Sequence, residues 1–379
     1  MTGVYLDHNA TSRVRPEAIA AVTRALETVG NPSSVHAAGR AARALMEQSR
    51  ADVAALIAAP PQTVIFTGGG TEANALAIQS AVATGSRRLI VSAIEHDSVL
   101  ETAKASDAAV EFLPVDANGV ADLAWLRDRL AAWDEGDGRP FVALMLANNE
   151  TGVVQPVAEA AELVRAANGW LHVDAIQAAG KMPVDSRAIG ADTLSISAHK
   201  IGGPMGVGAL TFGPRATMVR VQHGGGQERG RRAGTENIPG INGFGAAAKV
   251  AGAVGDPAWR DAAAARLKAT GAVVMGEAEP RLPNTLCVAA VGWDAERQVM
   301  ALDLAGVMVS AGSACSSGKV KASHVLTAMG HAELAACAIR VSGGWDTTEQ
   351  DWNRFADAWL EAHARHAARR TQSPMGEVA

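Results

Sequence analysis

The sequence has little cysteine, no strong charge of one sign and no long hydrophobic run. Its three cysteines, Cys287, Cys315 and Cys337, are odd in number and far apart. That spacing fits neither a disulfide framework nor the paired ligands of a zinc site, and no metal is expected. One of the three thiols is left available for chemistry. A net charge of -5 spreads no basic field along the chain, so direct nucleic-acid binding is not expected. No stretch of about 18 apolar residues occurs, which argues against a membrane span. The first residues, Met1 to Asn9, show no positive segment followed by an apolar one, so secretion is not expected and the chain reads as cytoplasmic.

What is present is a hydrophobic fraction of 48% in 379 residues, enough for a sizeable core and, on length, roughly two domains. From about residue 60 to about 215, short apolar runs alternate with Ala-rich stretches of helical spacing, the pattern of βα units on a buried parallel sheet. The expected strands are Thr63 to Thr67, Arg88 to Ala93, Phe141 to Ala147, Trp170 to Asp174, Thr193 to Ser197 and Val207 to Phe212. Ligands of such sheets bind at the carboxyl ends of the strands, so the residues that follow each strand are the first candidates for chemistry. Farther on, a strand near Asn284 to Val291 and helices near Ala295 to Leu304 and Trp359 read as a smaller α/β unit.

Six stretches carry candidate chemistry. Gly68-Gly-Gly-Thr71 follows a strand and opens a helix at Thr71, whose free N-H groups and dipole suit a phosphate. The same glycines, with Ala73 and with Glu95 after the next strand, also match a dinucleotide fingerprint, so a nicotinamide-dependent oxidoreductase is a rival reading. Asp174 ends an apolar strand; it either pairs with a protonated ring nitrogen or caps the next helix. Ser197-Ala-His-Lys200 ends another strand, placing one lysine where Schiff-base chemistry needs it, with Ser197 and His199 able to donate to phosphate oxygens. Cys315 lies among Gly312, Ser313, Ser316, Ser317 and Gly318, an accessible setting with Lys319 and Lys321 favouring thiolate, whereas Cys287 and Cys337 have apolar neighbours. His96 follows a further strand end, where it can stack on a ring or move a proton. Arg340 lies in an apolar strand, either as a carboxylate clamp or in a buried ion pair. The Gly- and Arg-rich segment from His223 to Asn237 cannot be regular helix or strand.

Taken together these motifs resemble the cysteine desulfurases of the nitrogen-fixation and iron-sulfur-assembly type, in the class V aminotransferase group. Nearly the whole chain takes part: Tyr5-Leu-Asp-His-Asn-Ala-Thr11, Gly70-Thr-Glu-Ala-Asn74, Glu95-His96, Asn148-Asn-Glu-Thr-Gly-Val-Val-Gln155, His172-Val-Asp-Ala-Ile-Gln177, Ser197-Ala-His-Lys200, Gly224-Gly-Gly-Gln-Glu-Arg-Gly230 and Gly312-Ser-Ala-Cys315. The resemblance implies an α/β protein of the pyridoxal-phosphate (PLP) fold type I. A large domain, 15–245, would hold a mainly parallel seven-stranded sheet between helices, and a smaller domain, 1–14 with 246–379, would carry the cysteine loop. It implies PLP bound covalently by Lys200, with Asp174 on the pyridine nitrogen, Gln177 on the phenolic oxygen and His96 against the ring. Gly70, Thr71, Ser197 and His199 would hold the phosphate, with Thr235 reaching across from a partner subunit, hence a homodimer. Asn149 and Arg340 would hold the substrate carboxylate, Asn149 also lying at the cofactor. Cys315 would take sulfur from L-cysteine as a persulfide, release alanine and pass the sulfur to a protein acceptor such as an iron-sulfur scaffold. Selenocysteine lysis, or another reaction of the group, is the alternative on the same fold.

Overall fold

The computed structural model describes residues 3–252, 254–312 and 322–372. The chain opens with a short strand, β1 (Val4–Tyr5), and two helices, α1 (Pro16–Leu26) and α2 (Ala37–Leu56). Strands and helices then alternate: β2 (Val64–Thr67), α3 (Gly70–Ala83), β3 (Arg88–Ser92), α4 (Asp97–Lys104), β4 (Ala109–Leu113), α5 (Leu123–Ala131), β5 (Phe141–Ala143), α6 (Val157–Ala166) and β6 (Trp170–Asp174). After α7 (Ser186–Ile189), β7 (Thr193–Ser197) and β8 (Gly208–Phe212), the long α8 (Ile238–Val250) closes this part. The remainder runs α9 (Pro257–Lys268), β9 (Val273–Val274), β10 (Thr285–Ala289), α10 (Ala295–Leu304), β11 (Val307–Met308), α11 (His324–Ala328), β12 (Ala338–Ser342) and α12 (Glu349–Gln372).

Seven strands form one sheet in the order β2-β8-β7-β6-β5-β3-β4. The run from β7 to β4 is parallel, and β8 is antiparallel to both of its neighbours. Every residue of β5, β6 and β7 is buried. Helices on both faces cover these strands, so they read as continuous apolar runs. The dinucleotide reading ends here, because the strand before the glycine turn, β2, lies at the sheet edge and pairs only with the antiparallel β8, whereas that fingerprint follows a strand of a parallel βαβ unit.

A second layer is built on the antiparallel sheet β12-β10-β9, with Cys287 opposite Arg340, and on β1 paired in parallel with β11. Trp293, Trp352, Phe355 and Trp359 fill its core against Leu286, Val288, Ile339 and Val341, and Val4 and Leu6 from the amino end pack into the same cluster. From there the chain runs beside β12, His8 N-H donating to Ser342 O, and arrives at the carboxyl edge of the large sheet at Asn9.

Three expectations shift. β4 was not anticipated: as an edge strand it is buried only at Leu113, with Phe112 45% exposed, and Glu111 interrupts its apolar residues. The apolar run of Phe141 to Ala147 leaves regular pairing after Ala143, although Leu144 and Leu146 N-H still donate to His172 and Asp174 O at 3.1 and 2.8 Å. Helix α3 starts one residue early, at Gly70, where a Cβ would overlap the Ile176 side chain.

The Gly- and Arg-rich segment holds one short helical turn, Gln227–Gly230, in which Glu228 and Arg229 have positive φ angles of 45° and 58°. It is pinned from below. Arg50 donates both Nη atoms to the Glu228 carboxylate, at 2.7 and 2.9 Å, lies over the Phe66 ring and also donates to Val64 O. Phe66 N-H donates to the same carboxylate at 3.0 Å. Both charged side chains are 3% exposed. Glu228→Ala would leave the buried Arg50 guanidinium with only the more exposed Glu47, 3.2 Å from its Nε, as counter-charge, and should lower the unfolding free energy by up to about 3–5 kcal/mol. Urea unfolding of variant and parent side by side measures it.

Candidate active site

The carboxyl ends of β3, β5, β6 and β7, the start of α3 and the amino-terminal crossing at Ala10 enclose a cavity of about 240 Å³. Gly70, Thr71, His96, Asn149, Asp174, Gln177, Ser197, His199 and Lys200 all line it. Nine of the expected site residues, distant in sequence, thus meet in one place. They do so because each follows a strand of the parallel sheet or opens the helix after one.

Asp174 is the last residue of β6 and is buried. Its oxygens accept from Asn74 Nδ2 at 2.8 Å and from Ile176 N-H at 2.9 Å. Burial pushes its carboxyl up from the ordinary carboxylate value, partly offset by those two hydrogen bonds and by the nearby His96 and Lys200. Asn74, which sequence reasoning left without a role, organises this corner. Its Nδ2 also donates to Ser98 Oγ, and its Oδ1 accepts from Ser195 Oγ at 2.5 Å and from His172 Nε2 at 3.0 Å. Because Asn74 Oδ1 can only accept, the His172 proton lies on Nε2, and Nδ1 accepts from Thr193 Oγ1. His172 is fully buried, and burial lowers its pKa from 6.5 to about 3, so the ring is neutral.

Lys200 follows β7, and its Nζ donates to the backbone oxygens of Asn9 and Ala10 at 2.5 and 2.8 Å. Gln177 Nε2 shares the Asn9 oxygen at 2.9 Å. Asn9, also without a role in the sequence reading, extends Nδ2 to Thr285 Oγ1 and Asn149 O. One residue thereby ties the lysine to the second layer. His96 caps α4, its Nδ1 accepting from Ser98 N-H at 3.0 Å, and burial lowers its pKa. His199 faces Thr11 Oγ1, and burial together with the Lys200 charge brings its pKa down to about 4.

Three expected residues stand apart. Cys315 lies outside the described residues. Thr235 is exposed and does not line the cavity of its own chain. Arg340 is 3% exposed and in an ion pair: Nη2 meets Asp7 Oδ1 at 2.9 Å, and Nη1 donates to Asn149 O. Beside it Asn149 Oδ1 is buried with no hydrogen-bond partner among the described residues. The other cysteines are buried, and burial pushes the Cys287 thiol well up, keeping it protonated.

The donor set is that of a phosphorylated heterocyclic aldehyde. The first turn of α3 has free N-H groups; Thr71 and Ser197 add hydroxyls, Asp174 a carboxylate for a ring nitrogen and Lys200 an amine for a carbonyl. These residues fit PLP. The description "Aminotransferase class-V" matches residues 4–355. The chain belongs to the class V aminotransferases. Class V members use PLP as cofactor, in accord with the donor set. A cysteine desulfurase of Cereibacter sphaeroides is 43% identical over 371 residues, covering 94% of this chain and 95% of that protein. Among solved structures, a NifS-like protein from Rickettsia africae superposes with a TM-score of 0.86 at 30% identity, over 96% of this chain and 99% of that one. SspA in complex with cysteine superposes with a TM-score of 0.78 at 26% identity, over 91% and 99%.

The neutral His172 at the heart of this class V site gives a pH signature. The unfolded chain takes up a proton on this residue below about pH 6.5, while the folded chain does not until about 3, so its contribution to stability is lost as pH falls through that window. A single proton corresponds to a slope of about 1.4 kcal/mol per pH unit. His172→Gln should flatten the stability profile between those limits by about that slope, read by urea unfolding at a series of pH values; an unchanged slope would show that His172 is already protonated in the fold.

Proposed function

We propose that this chain is a cysteine desulfurase that converts L-cysteine to L-alanine and carries the sulfur away as a persulfide on Cys315. The observation that carries the proposal is the meeting of Lys200 and Asp174 at one cavity on the carboxyl edge of the sheet. When bound there, PLP supplies an electron sink for the pair left behind as a substrate α-proton departs. Lys200 Nζ would hold the cofactor, and the same amine would take the substrate α-proton. The Asp174 carboxylate, fixed by Asn74, keeps a proton on the ring nitrogen. Gln177 donates toward the ring's oxygen, His96 covers a ring face, and the start of α3 with Gly70, Thr71, Ser197 and His199 receives the phosphate.

Arg340 and Asn149 take the substrate carboxylate. For the arginine this means exchanging Asp7 for the ligand, and its Nε, without a hydrogen-bond partner among the described residues, gives it a further donor to offer. The Cys315 thiolate forms an S–S bond with the substrate sulfur as the carbon–sulfur bond breaks; the electron pair stays with carbon, which is protonated to alanine. The persulfide then passes to a protein acceptor such as an iron-sulfur scaffold. The same reading divides the chain into a cofactor-binding body, 15–245, and a smaller one, 1–14 with 246–379, and places the protein in the cytoplasm. Thr235, exposed on its own subunit, serves the phosphate of a partner, so the working unit is a homodimer.

The test is the visible spectrum before and after cysteine, with alanine and sulfide assayed in the same tube. We expect a yellow protein whose band moves on addition, with both products formed. Cys315→Ala should keep the band and its response to cysteine while sulfide release falls at least a hundredfold; release at the parental rate would remove Cys315 from the mechanism. The shared site has its own test. Mixed dimers of Lys200→Ala and Thr235→Val chains should regain one site of parental PLP affinity per dimer, whereas a threonine acting within its own chain restores none.

A further inference from the structure

Lysine is among the residues least often fully buried, yet Lys181 is 5% exposed and lies one layer behind the cavity wall. Its Nζ reaches two side-chain amides, Gln177 Oε1 at 2.6 Å and Asn9 Oδ1 at 2.7 Å. An ammonium carries three protons and no lone pair, so any group it touches must turn an acceptor toward it. For Gln177 this decides which way the amide faces. Oε1 is committed to Lys181, and Nε2 is directed to the Asn9 backbone oxygen at 2.9 Å with a second N-H to spare. Gln177 lines the cavity, so it can offer a ligand only a donor.

The same amine acts on Asn9. With Oδ1 held by Lys181, Asn9 Nδ2 must face Thr285 and Asn149, and this fixes the residue whose backbone oxygen accepts from Lys200. Gln177 in the cavity wall and Asn9 behind it are thus both held by one amine that does not line the cavity, Asn9 Oδ1 accepting in addition from Asn284 Nδ2 at 3.3 Å. Burial, followed by the charges of Lys200 and Arg340, holds the Lys181 ammonium well below its ordinary pKa. Even as a neutral amine it keeps two N-H bonds, one for each amide oxygen.

We infer that Lys181 is a positioning residue of the cofactor site, locking Gln177 so that it presents N-H and not C=O to the bound ring and bracing the Asn9 carbonyl on which Lys200 rests. The inference rests on the PLP reading above. The experiment is a PLP titration of the apo-protein, followed by the visible band, for the parent, Lys181→Met, Gln177→Met and the double variant. Circular dichroism checks that each is folded. Lys181→Met in the parent should weaken PLP binding at least tenfold and shift the band, because Gln177 is then free to turn its oxygen inward. With Gln177 already replaced, the second substitution should cost less than about twofold, the mark of two residues acting as one unit.

Equal factors in the two backgrounds would overturn the inference while leaving the PLP reading intact, since they would mean that Lys181 supports the fold in general and not the amide. A parent protein with no visible band would overturn both together. Should Lys181→Met fail to fold, Lys181→Gln takes its place in the cycle. It retains polar contact but can both donate and accept, so it no longer dictates the Gln177 orientation and should show the same loss and the same dependence on Gln177.

Discussion

The site depends first on keeping a carboxylate buried at the end of a parallel strand. Asp174 can be held there only if its oxygens are met by fixed donors, since leaving a buried charge unsatisfied costs several kcal/mol. Asn74 and the Ile176 N-H meet it, and Asn74 is fixed in turn by donors from β6 and β7. This chain of acceptors and donors also sets the His172 tautomer, and Trp170 Nε1 closes it by donating to Thr193 Oγ1 at 3.0 Å. A polar network of this kind is useful only when every member is satisfied. Here the sheet register supplies that condition, because His172 lies opposite Thr193 and Asp174 opposite Ser195.

A second constraint is geometric. The sheet presents Lys200 and Gln177 from one side, while Arg340 comes from β12 of the antiparallel layer. Asn9 joins the two, taking Lys200, Gln177 and Lys181 on its oxygens and giving Nδ2 to Thr285 and Asn149. Its N-H donates to Ser342 Oγ on β12. The pairing of β1 with β11 therefore does more than extend a small sheet, because it fixes where the chain crosses toward the lysine. The crossing arrives as backbone carbonyls, which suit an amine that must be held without being neutralised.

These two constraints explain what the sequence could reveal. Asp174, Lys200, His96 and Thr71 were legible because each directly follows an apolar run or a glycine turn, and the strand-end rule needs only local pattern. Asn74, Asn9 and Lys181 were not, since their importance lies in partners 98, 276 and 172 residues away. Asn74 left one faint signal, a polar amide among Ala73, Ala75, Leu76 and Ala77 on a helix with little amphipathic character. Lys181 left none, because a lysine after a glycine reads as a solvated charge. The edge strand β4 escaped for the opposite reason: largely uncovered, it has Glu111 in its middle and lacks the unbroken apolar run by which its neighbours were found.

The charge balance of the cavity follows from the same geometry. His8 and His199 are each brought down to about pKa 4, His172 to about 3, and burial is the leading cause in all three. The neighbourhood thereby avoids stacking imidazolium charges on top of Lys200, Lys181 and Arg340. What remains is Lys200 beside the Asp174 carboxylate at the cavity, with Arg340 committed to Asp7. Any anion that binds only the folded chain stabilises it in proportion to the logarithm of its concentration over Kd. Free N-H groups at the start of α3 are a place where such a charge can be received. With His172 and His199 held neutral, the charge at the cavity wall is set by Lys200 and Asp174.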